Sequence, residues 1–120
     1  MRKLIVIVAF LLVLCGCSSK IDITGHANRE PVIFPDYKNV TVPCNIAPLD
    51  FEVTGDEKWA LKIEAGERTH YVHAENGLFT FGRSFWKRLL DENRGSSMTF
   101  TLCFKGKDGW NACNSFHINV

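Results

Sequence analysis

The stretch that decides the fold runs from Leu49 to Glu64 and reads LDFEVTGDEKWALKIE. On both sides of its central Gly-Asp-Glu, a turn of hairpin length, every second residue is apolar. A period of two is typical of strands that have one buried and one exposed face. We therefore expect two half-buried strands here, with Phe51, Trp59 and Leu61 facing the core.

The same alternation continues toward the C-terminus. Asn76-Gly77 is the strongest short hairpin pair in the chain, and Gly106 and Gly109 bound a second turn. The further strands are expected over residues 69–75, 78–81, 98–104 and 110–120. A count of six or seven short strands with turns about every ten residues predicts a small antiparallel β-sandwich, immunoglobulin-like in plan.

One short helix is predicted between these strands, so the expected class is all-β with one helix. Ser84 suits its N-cap, and Phe85 and Leu89 have the spacing of one helical face. Asn93-Arg94-Gly95 supplies the stop. Because the helix has only two or three turns, packing must stabilise it.

Length and charge limit the classes of protein. The 120 residues provide one modest core, and 14 Lys plus Arg balance 13 Asp plus Glu. A balance this even excludes a strongly basic nucleic-acid-binding protein, so no nucleic-acid partner is expected.

The N-terminus has the pattern of an export signal. Arg2 and Lys3 precede an apolar run that starts at Leu4 and, even counted through Cys17, covers 14 residues. A membrane-spanning helix needs about 18 to 20 residues, so a permanent transmembrane segment is not expected.

The end of this run, Leu14-Cys15-Gly16-Cys17, resembles the bacterial lipobox. That resemblance implies cleavage of residues 1–16 and acylation of Cys17, which would hold the protein on the membrane. Ser18-Ser19 follow with no Asp, which by similarity to enteric sorting favours the outer membrane. The alternative is a plain secretory signal, in which Cys17 is an ordinary thiol.

The exported chain is expected to have two parts. Residues 17–30 are mostly polar without helical periodicity and are interpreted as a lipidated tether; residues 31–120 form the β-sandwich domain. All four prolines lie within residues 31–48, which predicts an extended edge segment or turns over the core.

Export to an oxidising compartment makes Cys44, Cys103 and Cys113 candidates for a disulfide. If the last hairpin is centred on Asp108, Cys103 and Cys113 face each other, and a cross-strand bond becomes geometrically possible. Pairing of Cys44 with either of them, or no disulfide, stays open.

No catalytic or cofactor motif is found in the sequence. It has neither a Gly-x-Ser-x-Gly elbow nor a glycine-rich phosphate loop before a helix. His70 and His73 fall on opposite faces of one strand, so no metal site is expected. The aromatic residues expected to be exposed and to contact a protein or glycan partner are Trp110, beside a turn, and Tyr37.

The stretch from Ile33 to Phe51, IFPDYKNVTVPCNIAPLDF, resembles the start of TolB-like lipoproteins of anaerobic Gram-negative bacteria, and the ending Phe116 to Val120 is similar too. The resemblance implies the N-terminal β domain of that family, which carries no catalytic residue to transfer. Family members continue into a β-propeller, often after a C-x-x-C-H element, and the sequence shows neither. It therefore resembles that domain alone, as a natural short form or a truncated reading frame.

Three hypotheses follow. The first is a lipid-anchored, non-enzymatic interaction or accessory domain of the bacterial cell envelope, without a cofactor. The second is a carbohydrate-binding lipoprotein domain that uses Trp110 and Tyr37. The third is an enzyme whose site has no recognisable motif.

Overall fold

The computed structural model describes residues 20–120, and in this part of the chain the fold is all-β with one short helix, as predicted. The strands, in chain order, are β1 (Ile23–His26), β2 (Ile33–Phe34), β3 (Val40–Thr41), β4 (Phe51–Val53), β5 (Trp59–Ala65), β6 (Arg68–His73), β7 (Leu78–Phe79), β8 (Ser97–Gly106), β9 (Gly109–Ala112) and β10 (Phe116–Asn119). Helix α1 (Arg83–Glu92) lies between β7 and β8.

Seven of these strands form the main sheet, which is built around β8. One side of β8 pairs with β5, which in turn pairs with β6. The other side pairs with β10 along its first half and with β9 along its second half, and all these pairs are antiparallel. At that edge β1 and β3 add to β9 and β10 in parallel. Because of these parallel edges, the structure does not confirm the immunoglobulin-like plan.

The remaining strands, β2, β4 and β7, form the small sheet, which is antiparallel. The predicted hairpin across residues 55–57 is wrong, because β4 belongs to the small sheet and β5 to the main sheet. The Asn76-Gly77 turn forms, with φ of 52° and 78° and a bridge between Glu75 and Leu78. Here too the strands on either side of the turn, β6 and β7, enter different sheets.

The core lies between the two sheets and α1. Inward residues of β5 and β8, such as Leu61 and Leu102, are almost wholly buried, as alternation predicts. The helix adds Trp86, Leu89 and Leu90, which it buries on one face. Its N-cap is Gly82 and not Ser84, since no side chain caps it, and packing therefore holds it in place.

The predicted tether is wrong from Lys20 onward. Ile21 is buried, and β1 pairs with β9. Beyond β1, the amide of Ala27 donates to the carbonyl of Ala112 at 2.9 Å. The segment from Lys20 onward therefore belongs to the domain. Ile21 and Ile23, which alternate with polar residues, pack on Ala60, Cys103 and Ala112 of the main sheet. Cys17 and residues 1–16 lie outside the described residues.

Candidate functional site

The outer face of the main sheet, on the side away from the small sheet, carries a second apolar cluster. Its centre consists of small side chains at matched positions of three strands, Ala60, Cys103 and Ala112, all buried together with Ile21. The larger residues Tyr71, Trp110 and Ile23 pack around it and are only partly buried. Small residues leave room for the N-terminal segment to lie close to the sheet, and that segment covers them.

A cleft of about 820 Å³ opens beside this cluster, at the end of the main sheet where β5 begins. Its walls are Lys20 and Ile21, the loop of residues 55–59, the turn after β6, and the side chains of Lys105 and Trp110. The cleft exists because β4 and β5 enter different sheets, so that the loop joining them spans the gap at this end. It is the candidate functional site.

Trp110 lies at the wall of the cleft, as a half-buried residue beside the last hairpin. Its ring meets the imidazole of His73 edge-on, with centroids 6.0 Å apart, and the Lys105 Nζ lies 6.0 Å from the ring centroid. An indole that combines an apolar ring with a polar N–H suits contacts at protein interfaces and at membrane boundaries. Tyr37, the other predicted contact residue, packs against the core between the two sheets. The structure therefore does not bring Tyr37 and Trp110 together.

Both signs of charge line the cleft. Lys20, Lys58 and Lys105 contribute ammonium groups, and Asp56 and Glu57 contribute carboxylates. Charged groups of both signs can hydrogen-bond a polar ligand from several directions.

An arginine outside the cleft ties one of these carboxylates to the core. The guanidinium of Arg29 lies 3.6 Å from Glu57 and covers two rings, 5.5 Å from the centroid of Trp59 and 5.1 Å from that of Phe104. Beneath it, the Trp59 indole N–H is buried and has no acceptor among residues 20–120. Sequence analysis missed this cluster, since Arg29 lies far from its partners along the chain.

The structure contradicts the predicted Cys103–Cys113 disulfide. The last hairpin pairs Cys103 with Ala112, one residue from the predicted register, because its turn has two residues and is not centred on Asp108. A shift of one residue turns a side chain to the other face of a sheet. Cys103 lies in the outer cluster and Cys113 in the core between the sheets. Together with Cys44, both are free thiols.

The two buried thiols, Cys103 and Cys113, are poor nucleophiles. Burial raises the pKa of Cys103 to about 11, and burial also raises the pKa of Cys113. Only the thiolate attacks or binds metal, so neither sulfur is reactive near neutral pH. Cys44 is half-buried and lines a second cleft of about 520 Å³ together with Arg83, Lys87 and Arg94.

The histidines are separated. His70 faces α1, with its ring 5.1 Å from that of Phe85, whereas His73 faces Trp110 on the other side of β6. His117 lies on β10 with Nδ1 at 3.4 Å from the hydroxyl of Thr99. Within the described range, no group of three or more His, Cys, Asp or Glu is placed to hold a metal ion.

The chain was compared with known proteins. A scan against protein-family models finds no match, and a search of curated proteins finds none either. Over residues 20–120, no helix has the length and apolar character to cross a membrane.

Proposed function

We propose that this chain is a lipid-anchored, non-enzymatic interaction or accessory domain of the bacterial cell envelope, related in kind to the N-terminal domain of TolB-like lipoproteins. The observation that carries the proposal is Leu14-Cys15-Gly16-Cys17 at the end of a short apolar run with a basic head. Acyl chains on Cys17 would hold the domain at a lipid surface, with the outer membrane favoured by Ser18-Ser19.

Exposed apolar residues support an interaction role. Val32, Phe34 and Leu78 are 72%, 70% and 46% exposed, although the chain has a well-filled core. Phe34 and Leu78 flank Glu52 in one row across the outer face of the small sheet. Exposed apolar side chains gathered on one surface are typical of contact sites for proteins or lipids.

Metabolic labelling tests the anchor. Cells that express the chain are fed tagged palmitate, and the label is expected on the native protein and absent from Cys17→Ala. Cys15→Ala is the matched control, because it removes the neighbouring cysteine and keeps the acylated position. Separation of inner and outer membranes by density then tests the location. Labelling that survives Cys17→Ala would contradict the proposal.

A second candidate function is carbohydrate binding at the cleft, and the position of Trp110 favours it. The half-buried ring lies at a wall that also presents Lys58, Asp56 and an Asn76 amide. Sugar sites combine such a ring with hydrogen-bonding groups. The test is a glycan array with the unlipidated Cys17→Ala chain. Trp110→Ala should abolish binding and Tyr37→Ala should preserve it; binding that is unchanged in Trp110→Ala would count against this candidate.

A further inference from the structure

The distance between Cys17 and the folded domain is short. Only Ser18 and Ser19 separate Cys17 from Lys20, the first residue that the structure describes. Three peptide steps of 3.8 Å span at most about 11 Å. Acyl chains on Cys17 would therefore hold Lys20 within about 11 Å of the cysteine at the lipid surface, whatever path the chain takes.

Lys20 is at a fixed place in the fold. It lines the cleft, and the next residue, Ile21, is 5% exposed in the outer cluster. Two residues further, β1 begins its pairing with β9 at Trp110. The domain therefore cannot turn freely around its anchor, because the short connection leads directly into a packed strand.

From these two observations we propose that the end of the domain that carries the cleft faces the lipid bilayer and rests on it. This inference depends on the proposed acylation of Cys17 and adds an orientation to it. The occupant of the surface is the leaflet that holds the acyl chains. The membrane-facing end comprises Lys20, the loop of residues 55–58, the turn Asn76-Gly77 and the hairpin tip at residues 107–108.

The chemistry of this end suits a lipid surface. Lys58 and Lys105 place ammonium groups around the cleft, where they can meet headgroup phosphates, and Arg29 pairs with Glu57, one of the two carboxylates there. Trp110 has a half-buried indole at the same wall, and tryptophan is enriched at the boundary between headgroups and acyl chains.

The small sheet contributes apolar residues at the same end. β4 ends at Val53, close to Gly55 in the wall of the cleft. Ile33 pairs antiparallel with Val53, so the exposed Val32, which precedes Ile33, lies at the cleft end of β2. Leu78 directly follows Gly77, which lines the cleft. Exposed apolar side chains beside lysines give the mixed surface of an interfacial membrane contact.

The opposite end of the domain is well separated. β5 starts at the cleft with Trp59 and continues for seven residues, a length of about 23 Å, before the turn at Gly66-Glu67. Asp56 and Glu67 are both exposed acidic residues, one at each end. They form a matched pair of positions for measuring which end lies near the lipid.

The experiment measures energy transfer from a fluorophore on the full lipidated chain to acceptor-labelled lipid in phospholipid vesicles. The fluorophore is attached at Asp56→Cys or at Glu67→Cys, each in a Cys44→Ala background. Cys103 and Cys113 do not compete for the label because they are buried. With ends separated by about 23 Å, transfer at position 56 is expected to exceed that at position 67 by at least about twofold.

Equal transfer at the two positions, or greater transfer at position 67, would overturn the orientation while leaving the anchor intact. A chain that fails to incorporate palmitate at Cys17 would instead contradict the proposed function. A third variant tests the cause by inserting a flexible stretch of about 15 Gly and Ser residues before Lys20, with a span of about 20 Å. The difference in energy transfer between positions 56 and 67 should then fall by at least half. An unchanged difference would show that the short connection to Cys17 does not cause the orientation.

Discussion

Cys103 and Cys113 lie on opposite faces of the main sheet, although both belong to the region of the last hairpin. Cys103 pairs with Ala112 across β8 and β9, and Cys113 is the next residue along the chain. Because side chains alternate along a strand, pairing at Ala112 places the two sulfurs on different sides of the sheet. The hairpin is therefore held by its hydrogen bonds and its packing.

The first prediction concerns this pair of thiols. Non-reducing peptide mapping of protein purified without a reductant should recover Cys103 and Cys113 in separate peptides, each with a free thiol. The midpoint of thermal unfolding should be the same with and without a reductant. Linked peptides would show that the hairpin has the register centred on Asp108, contrary to the structure.

The second prediction is a loss of stability in alkali. The pKa of Cys103 is raised by burial from 9.0 to about 11, so between these values the unfolded thiol loses its proton while the folded one keeps it. The free energy of unfolding should be unaffected by this group below pH 9 and should fall between pH 9 and 11, by on the order of 2 kcal/mol.

Urea denaturation at pH 8, 9, 10 and 11 measures this effect against a variant. Cys103→Ala removes one of the two buried thiols whose pKa is raised, and it should make the decline over this interval clearly smaller. Cys44→Ala removes a thiol that is not fully buried and is the control that should retain the decline. If the free energy of unfolding depends on pH identically in Cys103→Ala and the native chain, Cys103 does not cause the decline.

The third prediction compares two glycines that both have positive φ. A Cβ on Gly77 would lie 2.6 Å from the carbonyl oxygen of Val53, whereas one on Gly66 would meet nothing within 4 Å. Gly66→Ala should therefore lower the free energy of unfolding by about 1 kcal/mol through backbone strain alone. Gly77→Ala should lower it by about 2 to 4 kcal/mol, because the neighbouring strand must also move. Equal losses would indicate that this turn does not approach β4 closely.

The fourth prediction concerns the helix anchor, Trp86. Its Nε1 donates to the carbonyl of Ile46 at 3.1 Å, and its ring lies 5.1 Å from that of Phe81. Trp86→Phe removes the donor and leaves a small void, so the free energy of unfolding should fall by about 1 to 3 kcal/mol. Lys87→Ala, on the exposed face of the same helix, should change it by less than about 0.5 kcal/mol.

Local patterns in the sequence predict the strands well. β5 and β8 alternate large apolar side chains with smaller or polar ones, and the predicted core residues Trp59 and Leu61 are buried. Ala60 and Cys103, on the opposite face, are buried as well, which the alternation does not predict. Local patterns do not predict which strands pair with each other, because pairing depends on contacts between residues distant in sequence. The Gly-Asp-Glu stretch has the composition of a hairpin turn, yet the chain there crosses from one sheet to the other.

The candidate site was only partly predictable for the same reason. Trp110 stands out in the sequence as an aromatic beside a turn, but the cleft around it is formed by Lys20, residues 55–59 and the turn after β6, which are remote in the chain. Ile21 and Ile23 alternate with Asp22 and Thr24, and this short pattern indicates a strand that the polar composition of residues 18–30 concealed. The register error in the last hairpin came from a turn one residue shorter than assumed.

The pairing of β1 with β9 also sets an order of events during folding. Ile23 pairs with Trp110, so the first strand of the domain finds its place only after nearly the whole chain has been synthesised. Contacts between residues so far apart in sequence form slowly, because a long loop must close before the pairing stabilises it. Until then Ile21 and Ile23 stay uncovered, and so does the outer face of β8. Once the last hairpin has formed, β1 can pair with β9, and Ile21 and Ile23 become covered.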